Sequence, residues 1–172
     1  MSTRVLFMHG SGGGPNDNTA TYLCQHYTCR TPQMDPSDLS AAVNIQRTVL
    51  KEFQPDVIVG ESFGAAVAYQ LMEEGCWNGP AVFMCPAVHH IRTRFGLTSE
   101  PIIPANVPLV ILHGTKDDKI PLDHSQRLQK NAKTPETVKL HMVDDDHWMK
   151  GVVERKELGS FVDEAVEAGR GH

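Results

Sequence analysis

No stretch of the sequence approaches the roughly 20 apolar residues that a helix needs to span a bilayer, which excludes an integral helical membrane protein. Basic residues are the minority, 16 Lys and Arg against 21 Asp and Glu, for a formal net charge of −5. A chain with that balance is not built to neutralise phosphate backbones, so no nucleic-acid partner is expected. The four cysteines, Cys24, Cys29, Cys76 and Cys85, form no CxxC pair and have no metal-ligand spacing with the histidines. They are expected as reduced thiols of a cytoplasmic protein, each packing as a small buried hydrophobe. The N-terminal residues lack the basic and long apolar regions of a secretory leader. There is no Gly-Lys-Ser/Thr string, hence no P-loop, and no internal repeat, low-complexity tract or linker.

What is present fits one globular domain, residues 1–172, with 40% hydrophobic and 22% charged residues. Four continuous apolar runs, Val5–Met8, Val57–Val59, Ala81–Cys85 and Val107–Leu112, read as strands buried on both faces of a parallel sheet. Val138–Val143 alternates and belongs nearer a sheet edge, and Tyr27–Thr31 is a weaker strand. Leu39, Ala42, Val43, Gln46, Val49, Leu50 and Phe53 make one helical stripe, capped by Ser37 or Asp38 and ended by Pro55. Further helices are expected over residues 63–74, closed by Gly75, from Pro121 to about Lys130, and around Phe161, Val162, Ala165 and Val166. Strands thus alternate with helices, the pattern of an α/β fold with a parallel sheet. The stretch from His89 to Asn106 reads as one long irregular loop.

Gly60-Glu61-Ser62-Phe63-Gly64 lies between a buried strand and a helix. That is the setting of a nucleophile elbow, in which a serine sits strained on a sharp turn and crowds the positions two residues away until only glycine fits. A serine hydroxyl needs a base held by a third group. Asp117 follows the strand Val107–Leu112, with Asp118 as the rival orienter, and His147 follows the strand Val138–Val143. In a parallel sheet the strand exits share one edge, so Ser62, Asp117 and His147 are expected to meet there. Asp144, Asp145 and Asp146 read as a solvated acidic turn, His113 as a packing or hydrogen-bonding residue at its strand end, and His26, His124, His141 and His172 as structural.

The loop Met8-His9-Gly10-Ser11-Gly12-Gly13-Gly14-Pro15 lets backbone N–H groups approach a ligand oxygen. The N–H of Ser11 or Gly12, beside that of Phe63, is the expected oxyanion hole. Gly10-x-Gly12 with Asp35 downstream only faintly echoes a dinucleotide fingerprint, because Pro15 replaces its last glycine and no clean helix start follows.

His9-Gly10, the Gly60–Gly64 elbow, His113-Gly114-Thr115-x-Asp117-x-x-Ile120-Pro121 and His147 together resemble the α/β-hydrolase superfamily, in particular its small lidless serine esterases. The resemblance implies a reduced core of about six mostly parallel strands flanked by helices, without a cap domain. It implies Ser62 as nucleophile, His147 as general base and acid, Asp117 as orienter, and an acyl-Ser62 intermediate. The substrate would be a small carboxylic ester or thioester, with no metal or organic cofactor and no stable membrane insertion. Phe63, Trp148, Met149 and His9 are the expected substrate-side residues, and His89, His90, Arg92 and Arg94 either border the site or lie on a solvated loop. Where such relatives have glycine before the histidine this chain has Asp146, and with Glu61 it is expected to make the mouth negative and unfavourable to anionic substrates. A non-catalytic binding protein on the same fold is the alternative reading.

Overall fold

The computed structural model describes residues 2–171, so the reading of His172 lies outside the described residues. In chain order the elements are β1 (Arg4–Met8), α1 (Asn18–His26), β2 (Thr28–Arg30), α2 (Leu39–Phe53), β3 (Val57–Glu61), α3 (Phe63–Glu73), β4 (Ala81–Met84), α4 (Val88–Arg94), β5 (Leu109–Gly114), α5 (Leu122–Asn131), β6 (Val138–Val143), α6 (Lys150–Glu154) and α7 (Leu158–Arg170). The six strands form one sheet in the order β2-β1-β3-β4-β5-β6, and every neighbouring pair is parallel.

Side-chain alternation within the strands splits the core into two layers. Leu6, Met8, Ile58, Phe83 and Ile111 face α2, α3, α4 and α5, whereas Val5, Phe7, Val59, Val82 and Leu112 face α1, α6 and α7. Both faces of β1, β3, β4 and β5 are therefore buried, which is why those strands read as unbroken apolar runs. The two segments with weaker or alternating patterns, β2 and β6, are the sheet edges.

Three short helices depart from the sequence reading. α1 begins right after the glycine-rich loop, where no clean start was expected, because the Asp17 side chain accepts from the N–H of Ala20 and caps it. α4 occupies the first part of the expected irregular loop, and α6 follows the His147 turn. Cys24 and Cys76 are exposed rather than buried, while Cys85 is fully buried; among the described residues all four thiols are free.

The connection β1-α1-β2 runs one way from β1 and the rest of the sheet runs the other way. β1 and β3 therefore flank the switch point, where the diverging connections leave a crevice beyond the strand exits. Two glycines let α3 start against that crevice. A Cβ at Gly60 would lie 2.9 Å from Ala65 Cα and N, and a Cβ at Gly64 would lie 1.8 Å from the carbonyl oxygen of Met8. Gly64→Ala is expected to lose about 3 kcal/mol of stability or more by urea unfolding, since backbone must move. Gly75→Ala, at φ +77 but in open space, is expected to lose only about 1 kcal/mol.

Candidate active site

Ser62 stands between β3 and α3 at φ 54 and ψ −108, a conformation that non-glycine residues rarely adopt. Its backbone is tied on both sides: its N–H donates to Met84 O at 2.9 Å, and its carbonyl accepts from Ala87 N at 3.2 Å. The hydroxyl lies 2.9 Å from His147 Nε2. On the other side of that ring, Nδ1 lies 2.8 Å from Asp117 Oδ2. Because a carboxylate only accepts, Nδ1 carries the proton toward Asp117 and Nε2 is left to accept from Ser62. Asp118, the rival orienter, lines the cavity beside the site instead of reaching the ring.

The Asp117 and His147 loops are zipped together. Thr115 N donates to Val143 O at 2.9 Å and Lys116 N to Asp145 O at 3.0 Å. A Cβ at Gly114 would fall 2.4 Å from Asp145 O, so the two chains touch where they leave β5 and β6. Asp117 Oδ1 accepts from the N–H groups of Lys119 and Ile120. Burial works to raise the Asp117 pKa, but the bonds from Ile120, the Cys85 thiol and His147 outweigh it and hold the carboxyl below the usual range. Cys85, read from the sequence as a packing residue, stands beside the pair: ligand atoms of Cys85, Asp117 and His147 all lie within 4.8 Å of one another. Three such atoms resemble a cation site, yet burial keeps the Cys85 thiol protonated, and it points its weak donor at the Asp146 carbonyl, 4.0 Å away, rather than offering a thiolate.

Asp146 is exposed, and its side chain accepts from Trp148 N at 2.9 Å, so it shapes the turn that carries His147. Asp145 does the same for α6, accepting from Val152 N.

Several expected substrate-side residues turn away from the cleft. His9 is buried, donates from Nδ1 to Gly10 O and accepts at Nε2 from Met34 N, and so braces the glycine-rich loop. Met149 adopts φ 57 and buries its side chain completely in the layer under α1, α6 and α7. The Phe63 side chain is likewise buried, in the opposite layer. Trp148 stays at the rim, 53% exposed, with its ring over Gly12. Ser11 and Gly12 line the cavity. A Cβ on Gly10 would come 3.4 Å from Ser62 Cβ, so that loop lies directly against the serine.

The cavity over Ser62 has a volume of about 540 Å³. The expected negative mouth is not what forms there. Asp146 is outside the lining, and Glu61, although in it, is held neutral. Burial, with a smaller push from Asp17, raises the Glu61 carboxyl to about 8 against the bond from Thr19. Arg94, Lys119 and Lys150 line the same cavity against Asp17 and Asp118. Of the four polar residues expected near the site on α4, His90 and Arg94 reach the cavity, while His89 bonds Glu100 and Arg92 bonds Glu73 and Ser99.

The chain has the α/β-hydrolase fold. No protein-family model and no curated protein matches it. Solved structures that share its architecture include the following three. A Xanthomonas campestris protein of the alpha/beta hydrolase superfamily superposes with a TM-score of 0.73 at 19% identity, covering 100% of both chains. Mouse alpha/beta hydrolase domain-containing protein 10 gives 0.72 at 13% identity, over 94% of this chain and 90% of its own. Est1E from Butyrivibrio proteoclasticus gives 0.70 at 16% identity, over 98% and 88%. At such identities the likeness is one of fold. Between β4 and β5 the described residues hold α4 and a short irregular stretch, with no cap domain.

Glu61 generates a pH test. Burial pushes its folded carboxyl up to about 8, whereas the unfolded one titrates near 4.5. The stability of the buried acid is thus fully present below the unfolded value and declines as pH rises toward the folded one. The melting temperature of Glu61→Gln relative to wild type is expected to climb between about pH 5 and about pH 8, then level off. A constant difference would mean that Glu61 is ionised in the folded protein.

Proposed function

We propose that this chain is a serine hydrolase that cleaves small carboxylic esters or thioesters through an acyl-Ser62 intermediate. The observation that carries the reading is the continuous row Ser62 Oγ, His147 Nε2, His147 Nδ1 and Asp117 Oδ2, with links of 2.9 and 2.8 Å, whose Ser62 and His147 line one cavity. Ser62 Oγ attacks the carbonyl carbon while His147 Nε2 takes its proton. Asp117 holds the ring in the required tautomer and stabilises the imidazolium that forms. The oxyanion is received by the N–H of Phe63 at the free start of α3, with that of Ser11 or Gly12 as the second donor. His147 then protonates the departing alcohol or thiol, and a water activated by the same ring releases the acid and restores Ser62.

With no cap domain the cleft is open, which suits small soluble esters better than bulk lipid. Among the described residues no helix is long and apolar enough to cross a membrane. The four free thiols fit a reducing compartment, and we place the protein in the cytoplasm.

Labelling with a fluorophosphonate probe, followed by peptide mapping, is expected to yield a single adduct on Ser62, absent in Ser62→Ala. On a short-chain 4-nitrophenyl ester, Asp117→Asn is expected to lower kcat by about 10³- to 10⁴-fold. Asp118→Asn is expected to stay within about threefold of wild type. A folded protein that takes no adduct would point to the non-catalytic reading.

A further inference from the structure

Glu61 precedes the proposed nucleophile and has no cation paired with it. Its Oε2 accepts the Thr19 hydroxyl at 2.9 Å, and among the described residues that is the only hydrogen bond to its carboxyl. Thr19 is 4% exposed and Glu61 8%, so water reaches this corner only through the cavity that both residues line. With Oε2 engaged by Thr19 and the carboxyl pushed up to about 8 by burial, Oε1 is the oxygen left free to bond an occupant. The result is a carboxyl with one oxygen unpartnered by the described residues, in the lining of the cavity that holds Ser62. An occupant of the cavity that displaces water from this oxygen must replace the bond that water makes there.

We infer that Glu61 is a specificity-determining residue of this site: docked on Thr19 and facing the cavity of Ser62, its carboxyl donates a hydrogen bond to an ether, hydroxyl or carbonyl oxygen in the substrate, remote from the scissile bond. The inference rests on the proposed hydrolase reading and narrows it to neutral, oxygen-bearing esters or thioesters. Asp17 does not compete for the role. Its two carboxylate oxygens already accept from Ala20 N and Gly14 N at the start of α1. A second function of the Glu61–Thr19 bond is mechanical, since it ties α1 to the exit of β3, and the test must separate the two.

Isosteric substrate pairs do so. In the acyl series 4-nitrophenyl methoxyacetate is compared with 4-nitrophenyl butanoate, and in the alcohol series 2-methoxyethyl acetate with butyl acetate. The measured quantity is the ratio of kcat/KM, oxygen-bearing over alkyl, in each protein, so that intrinsic reactivity cancels between variants. In at least one series Glu61→Met is expected to lower the wild-type ratio about tenfold, the scale of one hydrogen bond. Glu61→Gln, whose amide can accept from Thr19 and still donate into the cavity, is expected to keep the ratio within about twofold. Glu61→Asp withdraws the acid by one methylene and is expected to lower the ratio as well, which covers the case in which Glu61→Met does not fold. A purely mechanical role changes both members of a pair alike. An unchanged ratio in Glu61→Met and Glu61→Asp in both series would overturn the inference. So would a wild-type preference for a trimethylammonium ester that Glu61→Gln abolishes, because the group would then act as an anion. Fluorophosphonate labelling of Ser62 in each protein keeps the two readings apart: an adduct with flat ratios removes only the role of Glu61, whereas no adduct removes the hydrolase reading itself.

Discussion

The first turn of α3 rests on the backbone of β1, and the hypothetical methyl group at Gly64, 1.8 Å from the Met8 carbonyl oxygen, measures how close that approach is. Much of the site follows from it. A helix that starts so near the sheet forces the chain to reverse within one residue, and Ser62 takes that reversal at φ 54. A conformation of this kind costs of order 1–3 kcal/mol and persists only where its surroundings over-determine it. Met84 and Ala87 supply part of that restraint by bonding the serine's own N–H and carbonyl, and Gly60 accommodates the incoming turn. The reward of the geometry is chemical. The hydroxyl projects above the sheet, beside the start of α3, where unpaired N–H groups and the helix dipole favour negative charge.

The other half of the site depends on a second close approach, between the exits of β5 and β6. Gly114 allows the carbonyls of Asp145 and Asp146 to lie against it, and the bonds from Thr115 and Lys116 hold the two loops in register. Asp117 can then reach the imidazole Nδ1 with both oxygens engaged, fixing the ring by its neighbours rather than by its own loop alone. Cys85 stands beside the pair, its sulfur within 4.8 Å of the ligand atoms of Asp117 and His147, and is itself fully buried. The acidic run before His147 works outward: Asp145 and Asp146 satisfy N–H groups of the turn and of α6, and so shape the loop without lining the cleft.

The central strands were legible because burial on both faces leaves a contiguous apolar signature, and α2 because a helix of 15 residues repeats its stripe several times. α1, α4 and α6, with nine, seven and five residues, are too short to establish a period, and tertiary contacts set their limits. Ser62, Asp117 and His147 could be named from strand exits because a parallel sheet delivers every exit to one edge. Side-chain direction was not legible in the same way. His9, Phe63 and Met149 all lie next to residues of the cleft in sequence, yet each points into packing, because one step along a loop or helix start rotates the side chain onto another surface.

From the sequence alone came the parallel α/β sheet, the elbow and the order of serine, acid and histidine, since these depend on local pattern and on glycine at positions where a Cβ would collide. The tertiary structure alone decided that Cys85 stands beside Asp117 and His147, and that burial pushes the Glu61 carboxyl up at the cavity wall. The physical reason is that protonation state and hydrogen-bond partner depend on desolvation and on groups far apart in the chain, such as Thr19 and Glu61 or Asp117 and His147, whose meeting only the folded sheet brings about.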